Sequence, residues 1–169
     1  MPPDPREELR RLYQFRCGYC GTSEVDVGAA LTIDHFQPRA HGGADDPTNW
    51  VYCYHACNEF KGDHWQPESP YRILHPLQDD LSASIVGEAD GRLRGLTETG
   101  TFHIQRLHLN RPQLIAHRLA RRINTEVRRT IEISQQEEAA HLQRLAELEE
   151  ALQAALQRLG QMRRRDTPQ

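Results

Sequence analysis

Apolar residues recur with a helical period at the start of the chain, where Leu9, Leu12 and Tyr13 fall on one face of EELRRLYQF; the pattern predicts a short helix over residues 7–15, ending at Cys17-Gly18. The period then shortens. Residues 29–35 (AALTIDH) and Trp50-Val51-Tyr52 read as two brief strands. Between them, His41-Gly42-Gly43 and Asp45-Asp46-Pro47 supply the residues of a turn-rich loop. Asn58 to about His64 has the length of a short helix, stopped by Pro67 and Pro70.

Beyond the prolines, residues 83–86 and 92–96 flank Glu88-Ala89-Asp90-Gly91, whose Asp-Gly pair suits the left-handed positions of a tight hairpin turn. Asn110 before Arg111-Pro112 predicts a helix start, with Asn as cap and Pro where a missing amide is harmless. From Gln113 to Met162 the sole breaker is Gly160, so one very long helix or a helical hairpin is expected there. Leu145, Leu148, Leu152, Ala155, Leu159 and Met162 keep a heptad spacing, which fits a short coiled-coil seam and equally fits packing on the protein's own body. The expected fold is α+β: a small finger over residues 1–75, a β-hairpin extension over 76–110, a helical arm over 111–165 and a disordered tail over 166–169.

Charge alters this picture because it is uneven. The whole chain carries −3, yet residues 1–102 hold 9 basic against 16 acidic groups, and residues 103–130 hold seven arginines against Glu126 alone. A basic stripe of that kind either grips phosphates or forms a solvated helix face. Placed on a helix, Arg118, Arg122 and Arg129 gather near one side and are the candidate nucleic-acid contacts. No run approaches the roughly 18 apolar residues of a membrane span, and no apolar stretch comes after the N-terminal charges. A cytoplasmic protein without a membrane partner is expected.

In that compartment four cysteines point to metal or redox chemistry in preference to disulfides. Cys17-Gly18-Tyr19-Cys20 and Cys53-Tyr54-His55-Ala56-Cys57 present two thiolate pairs, and four thiolates around Zn²⁺ make a closed structural site whose binding energy becomes folding energy. The alternative, a thiol-disulfide centre at CGYC, calls for a helix opening after a strand, whereas the residues before Cys17 read as helical.

Between and after these pairs stand Asp34-His35, Pro38, Gly42-Gly43, Asn49, and Cys57-Asn58-Glu59-Phe60-Lys61-Gly62-Asp63. In this order, bracketed by the cysteines, they closely resemble the zinc-clasped form of the HNH endonuclease family, with its treble-clef or ββα-metal finger. The resemblance covers residues 17–63. It implies hydrolysis of phosphodiester bonds in nucleic acid, DNA in preference to RNA, leaving 3′-hydroxyl and 5′-phosphate ends. By the same resemblance His35 is the general base, a role for which imidazole is suited at neutral pH. Asp34 and Asn58 hold a catalytic Mg²⁺ (or Mn²⁺), hard oxygen donors suiting a hard ion. Asn49 holds the loop and the base, while Lys61, about 60° around a helix from Asn58, and Arg39 face phosphate. His41 belongs to the loop, and His64 is poorly placed for a ligand.

Asp34 and His35 are adjacent on a strand and so point to opposite faces; the family meets this with a bend, which is expected here too. The segment from Thr101 to Arg118 resembles the stretch C-terminal to the finger in some bacterial HNH proteins, including those that act beside an ATPase in anti-phage defence. That likeness makes the C-terminal helix a docking arm for a partner protein or for a second copy in a homodimer. A different class of reading is a non-catalytic zinc-finger module that binds nucleic acid or protein.

Overall fold

The computed structural model describes residues 4–165 and divides them into two compact units, one ending at Ala120 and the other beginning at Arg121. In the first unit, α1 (Pro5–Leu12) starts where Asp4 caps the Arg6 amide and proline takes an early helical position. Gln14 and Phe15 adopt left-handed backbone (φ 52° and 58°), which ends the helix short of the expected end and turns the chain toward Cys17. Arg10 then forks onto the Glu24 carboxylate at 2.8 Å through two nitrogens, tying α1 to α2 (Glu24–Val27), whose start is a Ser23/Asp26 capping box.

β1 (Thr32–His35) pairs antiparallel with β2 (Trp50–Cys53), in the register Thr32 with Cys53 through His35 with Trp50. The long connection between them folds on Asn49, whose side chain accepts from the Gln37 amide (2.8 Å) and donates to the carbonyls of Gln37 (3.0 Å) and Ala44 (2.9 Å). A Cβ on Gly43 would lie 1.8 Å from the Gln37 carbonyl oxygen, so the loop closes over glycine alone. α3 (His55–Lys61) comes directly after β2. These elements share one core with Leu9, Tyr13, Val51, Tyr52, Ile73, Leu107 and Leu114.

After the finger come α4 (Leu81–Ser84) and the hairpin β3 (Ile85–Gly87) with β4 (Leu93–Gly95). The sequence pattern starts this strand at Ala83, but Asp80 caps the amides of Ser82 and Ala83 and holds them helical. α5 (Glu98–Arg106), capped by Thr97, lies where the sequence pattern predicts no helix. Its buried positions are Gly100, His103, Ile104 and then Leu107: a helical period disguised by a glycine and a histidine at core sites. A Cβ at Gly100 would meet the Ser84 carbonyl oxygen at 1.9 Å. Asn110 latches β4, accepting from the Leu93 amide (2.7 Å) and donating to the Leu93 carbonyl (2.8 Å); this corrects the expectation that it caps the helix.

α6 covers Pro112–Arg165 as one helix. In the second unit, from Arg121, Ile123, Val127, Ile131, Leu145, Leu148 and Leu152 are exposed. Leu159 and Met162 of the heptad pattern are outside the described side chains, and the tail over 166–169 is outside the described residues. Among the described residues no helix is long and apolar enough to cross a membrane.

His103 gives the first unit a titratable core. It is 2% exposed and its Nδ1 accepts from the Leu74 amide at 3.0 Å; burial pushes its pKa down from 6.5 to about 4. The unfolded chain therefore binds a proton that the folded chain refuses between those values, so stability is complete above pH 6.5 and is lost as pH falls toward 4. We expect acidification across this window to remove about 3 kcal/mol. His103→Asn, which keeps an acceptor and removes the titration, should flatten the pH dependence of urea unfolding; an unchanged slope refutes the assignment.

Candidate active site and metal clasp

The first cysteine pair is folded by backbone. Cys17 N donates to Thr22 O (2.9 Å), Gly21 N to Cys17 O (2.8 Å), and the Cys20 amide to Cys17 Sγ (3.4 Å). Cys57 enters from the first turn of α3, and the sulfurs of Cys17, Cys20 and Cys57 lie within 4.8 Å of one another. Sulfurs this close cannot all ionise without a cation among them. The charge accordingly concentrates on one: hydrogen bonding with Cys17 and Cys57 pulls the Cys20 thiol far down, burial pushes Cys17 up to about 11, and hydrogen bonding with the other two sulfurs drives Cys57 up. A divalent soft-tolerant ion fits this donor set, and the cluster is consistent with a zinc site. Cys53, expected as the fourth ligand, is not part of the grouping. It closes β2, is fully buried, and has Cys17, Asp34, Lys61 and Cys20 as its electrostatic neighbours.

The pairing of β1 with β2 continues through Asp34 opposite Val51 and His35 opposite Trp50, without the expected bend. The two side chains consequently diverge. Asp34, with a side chain 5% exposed, turns inward, where Tyr19 donates its hydroxyl to Oδ2 (2.6 Å) and Lys61 its ammonium to Oδ1 (3.0 Å). Lys61 also donates to the His35 carbonyl (2.9 Å) and has a side chain 1% exposed; it lies beneath the surface and not on a phosphate-facing one. Burial raises the Asp34 pKa against the opposing pull of Lys61, and burial also raises that of Tyr19 well above 10, with Asp34 adding to it. Asn58 is half-buried on α3.

His35 turns outward. Its ring meets Trp50 edge-on (centroids 6.4 Å apart), and its Nε2 lies 2.9 Å from Asp45 Oδ1 and 3.3 Å from Arg39 Nε. Arg39 in turn reaches Asp45 Oδ2 at 2.8 Å. Tyr19 and Asp45 carry no signal of their own in the sequence. Tyr19 hides inside CGYC as a spacer between ligands, whereas Asp45, in an acidic pair after Gly42-Gly43, reads as a turn residue. His41 sits in a single helical turn over Arg39–His41, and His64 Nε2 lies 2.7 Å from the Tyr71 carbonyl oxygen.

The arginine stripe is broken at its start. Arg118 donates to the carbonyls of Gly91 (2.6 Å) and Leu109 (2.8 Å), fastening the hairpin turn to α6, so it is not a free phosphate contact. Arg129 is exposed, as is Arg122.

Residues 17–69 match the family model described as HNH endonuclease. The matched segment contains the cysteine cluster, both strands of the finger, His35 and α3. This segment is thus similar to the HNH endonuclease domain, a family that acts on nucleic acid, and the match supports a nuclease-family, metal-binding function. No curated protein and no solved structure matches the chain.

Proposed function

We propose that this chain hydrolyses phosphodiester bonds of nucleic acid, DNA in preference to RNA, with His35 as general base. The observation that carries the reading is His35 itself, turned to the accessible side of β1 and held by Asp45. The shorter contact, with the Asp45 carboxylate, favours the Nε2–H tautomer over one in which Nε2 accepts from Arg39 Nε at 3.3 Å, and leaves the Nδ1 lone pair as the basic atom for the attacking water. Asn49 fixes the loop that carries Asp45 by anchoring both Gln37 and Ala44. Arg39, with a side chain 65% exposed, stands beside the ring as the cation for the phosphate.

HNH nucleases use divalent metals, and Mg²⁺ or Mn²⁺ is the ion the resemblance assigns. Asp34 does not fit a hydrated ion in this arrangement, because it is buried and both its oxygens are engaged by Tyr19 and Lys61. Asn58 remains an oxygen donor for such an ion.

The test is plasmid nicking in Mg²⁺ and in Mn²⁺. His35→Ala should lower the rate by about 10²–10⁴-fold, the usual worth of a positioned general base, with DNA affinity unchanged. A second reading, a zinc-finger module that binds without cutting, is favoured by the engaged state of Asp34. Wild-type protein that binds DNA but nicks nothing in either metal decides for the module.

A further inference from the structure

We propose that the clasp holds its zinc through three thiolates only, Cys17, Cys20 and Cys57, and completes the tetrahedron with an oxygen or nitrogen donor, Cys53 being a core thiol outside the site. The inference rests on the zinc reading of the cluster and adds the composition of its ligand set.

Three observations converge. The mutual approach within 4.8 Å includes three sulfurs and leaves out the fourth. Cys53 stands in the β1–β2 pairing opposite Thr32, so the backbone of a paired strand fixes where its side chain starts, whereas Cys57 is delivered by α3. Charge gives the third argument. Zn²⁺ with four thiolates carries −2, whereas with three it carries −1, which a single cation balances. That cation is present: Arg111 Nη2 lies 3.7 Å from Cys57 Sγ, its guanidinium resting over the rings of Tyr54 and Phe60 at 5.9 and 5.4 Å.

The edge of the cluster borders an open groove. Thr22, whose hydroxyl lies 3.2 Å from Cys20 Sγ, lines it together with Tyr54, Arg111, Asp26 and His117. Two sources of a light donor border the cluster, solvent water and the imidazole of His117, which stands outside the 4.8 Å approach of the three sulfurs and reaches the ion only by a side-chain shift. The latter has its Nε2 3.0 Å from Asp26 Oδ2, the carboxylate–imidazole arrangement that commonly orients a metal-bound histidine. Cys₃His is a standard closed zinc set, and three protein ligands plus water the standard open one.

X-ray absorption at the zinc edge of the wild-type protein reads the ligand set directly. Three sulfurs at about 2.3 Å and one lighter atom at about 2.0 Å are expected; four sulfurs overturn the proposal. Cys53→Ala and Cys53→Val should each keep about one zinc per chain and an unaltered absorption spectrum after Co²⁺ substitution, whereas Cys57→Ala loses the ion. Loss of zinc from both folded Cys53 variants overturns it as well. His117→Ala then separates the donors within the three-sulfur result: a changed Co²⁺ spectrum assigns the imidazole, an unchanged one assigns water. Wild-type protein that binds no zinc defeats the underlying zinc reading, a result distinct from four sulfurs.

Discussion

Withdrawing zinc with a strong chelator is expected to unfold the finger. Structural zinc in small fingers contributes an apparent 10–16 kcal/mol, roughly, while an entire domain is stable by only about 5–15 kcal/mol. A contribution of that size is comparable to the whole stability of the domain, so its loss should leave the finger unfolded. The segment it clasps contains two four-residue strands and a seven-residue helix, elements too short to persist alone. Protein purified without chelator should hold about one zinc per chain, and Cys17→Ser or Cys57→Ser should reproduce the effect of chelation. Circular dichroism and thermal unfolding before and after metal removal check this. A zinc-free sample with the wild-type melting temperature refutes it.

The Asp34–Lys61 pair should produce the next largest effect. With side chains 5% and 1% exposed, both charges are desolvated, and deleting either leaves the other buried and unpaired, a loss of about 3–5 kcal/mol. Asp34→Ala and Lys61→Met should each cost that much in urea unfolding at saturating zinc. The double variant Asp34→Leu/Lys61→Met should cost far less than the sum, since apolar replacement of both partners removes the unpaired charge. Single costs below about 1 kcal/mol, the range of an exposed pair, defeat the assignment. Mg²⁺ that stabilises the wild type but not Asp34→Asn would instead return Asp34 to the ion.

The local signals in the sequence are strong where a residue's role depends on its immediate neighbours. The Asp-Gly hairpin turn and the unbroken run after Pro112 gave correct element types because each is fixed within a few residues. The cysteine pairs, Asp34-His35, Asn49 and Cys57-Asn58 marked the same region that the family model matches over residues 17–69. The features that stayed hidden depend on partners distant in sequence. α5 was obscured because Gly100 and His103 occupy core positions that only Ser84 and Leu74 make suitable. Asn110 and Arg118 look like a cap and a phosphate ligand until Leu93 and Gly91 arrive beside them.

Within the site, sequence alone determined which residue types are present and in what order, since ligand spacing and turn chemistry are local. Tertiary structure decided which way they face. A strand that stays paired through His35 sends Asp34 inward to Lys61, 27 residues away, and His35 outward to Asp45. It also buries Cys53 while α3 carries Cys57 to the clasp. The physical reason is that alternation along a strand is fixed by the backbone, whereas the choice of which face meets the core is made by everything packed against it.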